Sequence, residues 1–148
     1  MRGACACIAR WGPAPRFHAF AHNLAYLALR AGDDARARAQ AAESLALFGA
    51  LGQQRGMAEA IAALAAVAAH AGTPQAAQRA ARLWAAADAV HAAGGTRPWP
   101  VDQAERSQYE RLARAVAGSA AFDDAYAVGA AWPLETAVAE APRTEQRA

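Results

Sequence analysis

Alanine fills 49 of the 148 positions of this chain, whereas Leu, Ile, Val and Phe together fill only 22. Alanine is the best helix former and is depleted in β-strands, so the composition favours helices throughout. A methyl group fills little space, and a core built mainly from alanine therefore needs helix backbones that approach one another closely. Trp84, Trp99 and Trp132 are expected to fill the remaining gaps. The sequence thus predicts an all-α fold.

The size and charge of the chain limit the functions that it can carry. At 148 residues it has room for one domain with one core. All 15 basic residues are arginines, the formal net charge is only +2, and the arginines form no dense block. Because a nucleic-acid surface normally needs a concentrated basic patch, we expect no direct contact with nucleic acid.

No segment of the sequence predicts a membrane span or a secretory signal. The longest strongly apolar stretch, residues 57–71, contains Glu59 and is too short to cross a bilayer. Residues 1–9 lack the long apolar run of a signal peptide. Cys5 and Cys7 are separated by one residue and cannot staple a fold. We therefore expect a cytoplasmic protein with no membrane contact and no disulfide framework.

Hydrophobic periodicity predicts a helical hairpin near the start of the chain. The first helix is predicted over residues 16–31 and ends at Gly32. The second is predicted from Asp33 or Asp34 to about Leu51, and the short turn between the two makes them a hairpin. The apolar positions of the first helix recur at steps of three and four residues: Phe17, Phe20, Leu24, Leu27 and Ala28.

A second predicted hairpin repeats the first at an offset of 40 residues. It uses Gln54–His70 and Pro74–His91, with Thr73 as the N-cap of its second helix. A helix pair of this kind cannot bury its apolar face alone, so such pairs stack on one another. The matching pairs are Leu24 with Leu64, Ala28 with Ala68, Ala31 with Ala71 and Gly32 with Gly72.

Glycines and prolines after the second hairpin indicate a linker that leads into helices of a different kind. Asp102 and Glu105 form a capping-box-like start for the next helix, and Ser119 and Pro133 mark the starts of two shorter ones. The predicted apolar face of the longer helix contains Tyr109, Leu112, Ala113 and Val116. The predicted division is a loose segment 1–15, two hairpins 16–93, a Gly/Pro linker 94–100, C-terminal capping helices 101–141 and a frayed tail 142–148.

Short motifs in both halves of the chain carry a resemblance to known repeats. The segment from His22 to Asp33 is similar to a tetratricopeptide-type repeat, with a Leu-Ala pair, a later small residue and a Gly-Asp turn in register. The segment Arg79–Ala86 resembles the last long repeat helix of one group of such proteins. The motifs that follow in the same order as in that group are Glu105-Arg106, Tyr109-Glu110, Ala121-Phe122, Ala125-Tyr126, Gly129, Leu134-Glu135 and Ala137-Val138.

Over roughly residues 21–141, the chain thus resembles the C-terminal helical-repeat region of bacterial signal-transduction ATPases. This group includes LuxR-type transcriptional regulators and ATPases associated with adenylate or guanylate cyclases. The chain departs from the pattern at three positions: Tyr126 replaces a usual Trp, Pro133 replaces a Ser or Thr cap, and Gln53 replaces a capping Asp. The resemblance implies antiparallel hairpins stacked as a tetratricopeptide-like right-handed superhelix, with a short helical C-terminal cap.

The resemblance also implies a function. It predicts a non-catalytic interaction or sensing module of a bacterial signalling or transcriptional regulator, which binds a peptide, a partner domain or a small inducer. The alternative is the truncated C-terminal end of a LuxR-type or cyclase-associated ATPase whose ATP-binding and output domains lie outside this chain. No phosphate-binding loop, cyclase segment or helix-turn-helix motif occurs in the sequence. We expect no cofactor and no enzymatic activity.

In repeats that resemble this one, one helix face lines a concave groove where the ligand binds. His22, Tyr26 and Arg30 recur at four-residue steps on the first helix, and Glu59 and His70 lie on the corresponding helix of the second hairpin. We predict a ligand- or partner-binding groove at these five residues, where aromatic stacking and hydrogen bonds would hold the ligand. A solvent-facing polar stripe is the alternative interpretation.

No set of residues predicts a metal site or a catalytic centre. Cys5, Cys7, His18 and His22 form one candidate zinc set. The cysteine spacing is shorter than the usual two to four intervening residues, and two prolines separate the cysteines from the histidines, so we predict no metal site. The serines lack a nucleophile motif and the acidic residues lack a defined pairing, so we predict no catalytic residue.

The outer edge of the first predicted helix has no preceding repeat to cover it. Phe17, Phe20 and Leu24 would be left uncovered there, and an uncovered apolar edge favours association. We expect the chain either to form a homodimer through this edge or to borrow an upstream partner segment that covers it. If Ile8 and Trp11 of the N-terminal segment fold back over the edge instead, the chain would be a monomer.

Overall fold

A computed structural model of the chain describes residues 18–144, with side chains from His22 onward. This part contains seven α-helices and no β-strand, which confirms the all-α prediction. No helix in it is both long enough and apolar enough to cross a membrane. The predicted loose segment 1–15 and the last four residues of the predicted tail lie outside the described part. The helices are α1 (His18–Arg30), α2 (Asp34–Ala50), α3 (Gln54–His70), α4 (Pro74–Ala93), α5 (Pro100–Ala117), α6 (Ser119–Ala130) and α7 (Leu134–Glu140).

The lengths of α2, α3 and the turns between helices explain the 40-residue repeat of the first four helices. α2 and α3 each contain 17 residues, and three residues separate α1 from α2, α2 from α3 and α3 from α4. α2 begins at Asp34 and α4 at Pro74, while α1 ends at Arg30 and α3 at His70, so both pairs of boundaries lie 40 residues apart. The helix boundaries therefore match the offset seen in the sequence.

The turns before α2 and α4 are built in the same way. Gly32 and Gly72 have φ angles of 77° and 74°, in the left-handed region where a larger residue is strained. The next residue caps the following helix in each case: Asp33 accepts a backbone N–H bond at 3.0 Å and Thr73 accepts one at 3.2 Å. These caps satisfy donors that the first turn of a helix leaves open. The predicted stop at Gly32 and the predicted cap at Thr73 are confirmed.

Helix α3 lies at the centre of the fold. Thirteen of its 17 residues are buried, because it packs against α1, α2, α4 and α5. Most of the buried side chains around it are alanines, and Ile61, Leu64 and Val67 are its larger members. Trp84 of α4 and Phe122 of α6 are the two largest fully buried side chains in the described part of the chain.

Helix α6 packs against α4 at backbone distance, as an alanine-rich core requires. A Cβ atom at Gly129 would lie only 2.0 Å from the carbonyl oxygen of Arg82, so glycine is needed at this contact. The ring of Phe122 lies 6.3 Å from the ring of Trp84 beside it. The predicted packing role of Trp84 is therefore confirmed, whereas Trp99 is 55 % exposed.

The inward face of α1 differs from the predicted one. Leu24 and Leu27 are 46 % and 57 % exposed, although both belong to the predicted apolar stripe. Ala28 is buried as predicted, but Ala25 and Leu29 are buried in place of Leu24 and Leu27. The inward face of α1 therefore combines two alanines with Tyr26 and Leu29, and Leu24 and Leu27 lie outside it.

The predicted starts of α5 and α6 are also wrong in detail. α5 begins at Pro100 with Trp99 at the N-cap position and no side-chain cap, so Asp102 does not act as a capping residue. Proline fits the first position of a helix because the N–H that it lacks would have had no partner there. At α6 the N-cap is Gly118, and Ser119 is the first helical residue.

Candidate functional site

Helix α5 packs on α3 and α4, and its side chains reach the residues of α1 and α3 that form the predicted groove. Arg30 forms an ion pair with Glu105 of α5. The rings of Tyr26 and His70 each lie 6.3 Å from the ring of Tyr109, also on α5. The predicted groove residues therefore meet a helix of the same chain.

His70 and Arg30 occupy the exposed end of this interface. The Nδ1 atom of His70 lies 2.8 Å from Oδ1 of Asp34 at the start of α2, and both side chains are about a third or more exposed. The Arg30 side chain is 55 % exposed, whereas its partner Glu105 is 14 % exposed. An ion pair with such partial exposure stabilises a protein by at most about 1 kcal/mol.

The other three groove residues, His22, Tyr26 and Glu59, line a small buried cavity. Their exposed fractions are 4 %, 5 % and 9 %. The cavity offers about 20 Å³ to the centre of a water molecule, and about 10–15 Å³ is enough for one water. His91, Asp102 and Arg106 complete its polar lining, and Ala62, Ala87 and Pro98 form its apolar walls. Side chains from α1, α3, α4, α5 and the linker thus meet at one enclosed point.

His22 lies between two buried carboxylates. Its Nε2 atom is 3.6 Å from Oδ2 of Asp102 and 3.9 Å from Oε2 of Glu59. Both distances exceed that of a normal hydrogen bond. Among the described residues, the Nδ1 atom of His22 and Oδ2 of Asp102 are buried and have no hydrogen-bond partner.

Glu59 has a cationic partner on the outer side of the cavity. The Nε atom of Arg55 donates to Oε1 of Glu59 at 3.2 Å, one helical turn away on α3. The same guanidinium donates to the backbone oxygen of Arg97 at 3.2 Å and lies 4.3 Å from the centre of the Trp99 ring. Arg55 therefore ties the linker between α4 and α5 to the cavity.

A partly buried ion pair fixes α5 to α4. Arg106 donates two hydrogen bonds to Asp88, at 2.6 and 2.8 Å, and the hydroxyl of Tyr126 on α6 donates to the same carboxylate. Burial alone would raise the pKa of Asp88, but the hydrogen bonds and charge of Arg106 outweigh it and hold that pKa below 3.8. Burial and the bond to Asp88 raise the pKa of Tyr126 to about 12. Asp88 thus stays ionised and holds α4, α5 and α6 together.

His91 is buried at the linker end of the cavity. Its Nδ1 atom lies 2.9 Å from the hydroxyl of Thr96. Burial lowers the pKa of His91 below 6.5, against the opposing effect of the nearby carboxylates of Glu59 and Asp88. The folded protein therefore favours neutral His91.

The lowered pKa of His91 predicts a loss of stability in mild acid. The unfolded chain takes up the proton near pH 6.5 and the folded chain only at lower pH, so this stability is present above about pH 6.5 and is lost as the pH falls through the folded pKa. We expect the melting-temperature difference between wild type and His91→Gln to shrink between about pH 8 and about pH 5.5. Thermal unfolding at both pH values measures it, and an unchanged difference would contradict the assignment.

The arrangement is suited to binding and contains no metal shell. Within residues 18–144, no group of three or more His, Cys, Asp and Glu side chains could hold a metal ion. Of the candidate zinc set, Cys5, Cys7 and the side chain of His18 lie outside what the structure describes, and His22 lies in the cavity. The absence of a metal stays a prediction.

Sequence reasoning missed Asp88, His91, Asp102 and Arg106 as members of the site. Asp102, Arg106, Tyr109 and Ala113 follow at helical steps of four, three and four, so they share one face of α5. Tyr109 and Ala113 were predicted on the inner face, but the charges of Asp102 and Arg106 concealed that the face extends to them, and Leu112, predicted to be inside, is 40 % exposed. Charged residues in register with apolar ones on a helix are a signal that its inner face includes ion pairs.

The predicted association edge is described only at Leu24, which is 46 % exposed. Phe17 lies outside the described residues, and the side chain of Phe20 lies outside them as well. Leu27, on the next helical turn, is 57 % exposed. The homodimer through this edge stays a prediction.

Comparison of the chain with protein-family models, with curated proteins and with solved structures found no match. The geometry and chemistry of the α5 interface and its cavity are therefore what bear on function.

Proposed function

We propose that this chain is a non-catalytic interaction or sensing module of a bacterial signalling or transcriptional regulator. In this proposal α1 to α4 form two tetratricopeptide-like hairpins of a right-handed superhelix, and α5 occupies their binding face. One observation carries the proposal. All five predicted groove residues, His22, Tyr26, Arg30, Glu59 and His70, contact α5 or share the buried cavity with it.

The contact between α5 and this face resembles a bound peptide more than a core helix. Only Asp102 and Ala113 of its 18 residues are buried. Its contacts include two ion pairs, from Glu105 to Arg30 and from Arg106 to Asp88, beside the apolar contacts of Tyr109, Ala113 and Val116. Helices that bind in grooves use anchors at such helical steps, and exchange is easier where little apolar surface is buried.

The segments on both sides of α5 allow it to leave without unfolding its neighbours. Residues 94–99 form a non-helical linker before it, and Gly118, with a φ of 83°, follows it. α6 also has direct contacts with α4, through Phe122 in the core and the close approach at Gly129, in addition to the ion pair between its Asp123 and Arg114 of α5. α5 is therefore a tethered occupant between two anchored parts of the chain.

The partner that fits this face is an amphipathic helix with the same charge pattern as α5. It would present a carboxylate to Arg30, an arginine to Asp88 and an aromatic ring to Tyr26 and His70. A protein partner of this kind, or a ligand of the cavity, would change the position of α5, and that change would be the signal.

Exchange of α5 with a peptide in solution tests the proposal. The probe is a labelled peptide of residues 99–118, and the chain is the full-length protein in which Glu105→Arg and Arg106→Glu repel α5 from Arg30 and Asp88. We expect the peptide to bind this variant at least about tenfold more tightly than wild type, because a tethered helix competes at millimolar effective concentration. Fluorescence anisotropy measures the binding.

A peptide that carries the same two charge reversals is the matched control and should not bind the variant chain. Circular dichroism and thermal unfolding establish that the variant chain is folded. Equal binding of the wild-type peptide to both proteins, or no binding to either, would contradict the proposal.

A further inference from the structure

Asp102 is the one carboxylate at the cavity without an arginine partner among the described residues. Glu59 is bound by Arg55, and Asp88, just behind the cavity, is bound by Arg106. Asp102 is only 8 % exposed, and its Oδ2 atom has no hydrogen-bond partner. A buried carboxylate needs a cation or strong donors to offset the cost of its desolvation.

His22 does not fill this role by itself. Its Nε2 atom is 3.6 Å from Oδ2 of Asp102, beyond hydrogen-bond distance, and the ring is a cation only when protonated. The same nitrogen lies 3.9 Å from Oε2 of Glu59, while the other oxygen of Glu59 already accepts from Arg55. Asp102, Glu59 and His22 thus line one small cavity, and Oδ2 of Asp102 has no hydrogen-bond partner among the described residues.

We propose that the cavity binds the ammonium group of a small primary amine, with Asp102 and Glu59 as acceptors. An ammonium group has three N–H donors. Oδ2 of Asp102 and Oε2 of Glu59 lie 3.6 and 3.9 Å from the same ring nitrogen of His22, at the cavity that all three residues line, and charged N–H donors bind carboxylate oxygens at about 2.7–2.9 Å. This inference rests on the proposed sensing function, since it names a ligand of the interface that α5 closes.

The chemistry and size of the cavity select against other ligands. Two carboxylates repel an anion, and about 20 Å³ leaves no room for a quaternary ammonium group, which also lacks N–H donors. Zinc needs ligands at about 2.0–2.2 Å, and the described residues offer no group able to supply them. Ala62, Ala87 and Pro98 provide the apolar walls against which a short carbon chain would lie.

Binding would also act on α5, because one of the acceptors lies on it. Asp102 belongs to the first turn of α5, whereas Glu59 belongs to α3 and His22 to α1. A cation bound by Asp102 and Glu59 would attract both carboxylates and offset the repulsion between them. The amine would therefore hold α5 closed and oppose its exchange for a partner helix.

Calorimetric titration of the full-length protein with methylammonium tests the inference, with acetate and tetramethylammonium as comparison ions. We expect saturable binding of methylammonium alone, weakened at least tenfold by Asp102→Asn. Asp124→Asn is the matched control, because Asp124 is an exposed carboxylate on α6, and it should bind like wild type. Ala62→Val, which narrows the cavity without changing its charge, should also weaken methylammonium binding. It replaces Asp102→Asn as the test variant if Asp102→Asn does not fold.

Absence of saturable methylammonium binding to the wild type would overturn the inference. Equal affinity in both cavity variants and the wild type, or equal binding of acetate or tetramethylammonium, would overturn it as well. The outcome is separate from peptide exchange. If the protein binds methylammonium but the peptide does not exchange with α5, the proposed partner helix is refuted and the amine site stands. If the peptide exchanges but methylammonium does not bind, only the amine site is refuted.

Discussion

Replacing Trp84 with alanine is expected to lower the free energy of unfolding by about 3–5 kcal/mol. Trp84 is 0 % exposed and is the largest fully buried side chain in residues 18–144. Its ring packs 6.3 Å from that of Phe122, at the junction of α4 and α6. Because most neighbouring core residues are alanines with no rotamers to adjust, the cavity left by the substitution cannot be filled. Chemical denaturation of wild type and variant measures the difference.

The same substitution at Trp99 is the matched control. Trp99 is 55 % exposed and its main described contact is with the guanidinium of Arg55, at 4.3 Å. Loss of that contact should cost only about 0.5–1 kcal/mol. Equal losses at the two tryptophans would show that Trp84 does not hold the core as described.

Addition of one methyl group at Gly129 is expected to destabilise the protein by about 3 kcal/mol, the upper end of the usual range for overpacking. The new Cβ would lie 2.0 Å from the carbonyl oxygen and 2.4 Å from the Cα of Arg82. Both are backbone atoms of α4, so no side chain can turn aside and α6 must move away. Thermal or chemical unfolding of Gly129→Ala measures the loss.

Gly49→Ala provides the control for this second substitution. Gly49 also lies within a helix, but a Cβ there would meet only the Sδ atom of Met57, at 3.8 Å. Alanine is the better helix former, so this variant should be more stable than wild type by about 0.5–1 kcal/mol. A similar loss of stability in both variants would argue against the close approach of α6 to α4.

The helix boundaries that depend on neighbouring residues could be predicted from the sequence. The bounds of α3 agree with the prediction at both ends, and Gly32 and Thr73 end and start helices where expected. These features depend on periodicity, left-handed glycines and side-chain caps, all of which act over a few residues. The 40-residue offset follows from the same local rules applied twice.

The orientation of α1 could not be predicted from periodicity. Leu24 and Leu27 continue the spacing of Phe17 and Phe20, so periodicity predicts them inside together with Ala28. The structure buries Ala28 as predicted, but it buries Ala25 and Leu29 in place of the two other leucines. In an alanine-rich chain, hydrophobicity and burial are thus less tightly linked than usual.

The candidate site was predicted in part. The five predicted groove residues share one face: His22, Tyr26, Arg30, Glu59 and His70. The prediction did not include the helix, α5, that packs on this face. Placing α5 over it depends on tertiary ion pairs such as that between Arg106 and Asp88, whose partners are 18 residues apart in the sequence. Local pattern rules carry no information on such pairs.

In the proposed function, α5 is a separable occupant of the face formed by α1, α3 and α4. Regions with few buried apolar side chains open at lower free energy than the core. Hydrogen–deuterium exchange of the full chain measures this opening. We expect α5 and residues 94–99 to exchange at least about tenfold faster than α3 and α4. We also expect Glu105→Arg with Arg106→Glu to accelerate exchange in α5 alone. Equal protection of α5 and α3, with the charge reversals accelerating exchange in both, would contradict the proposed function.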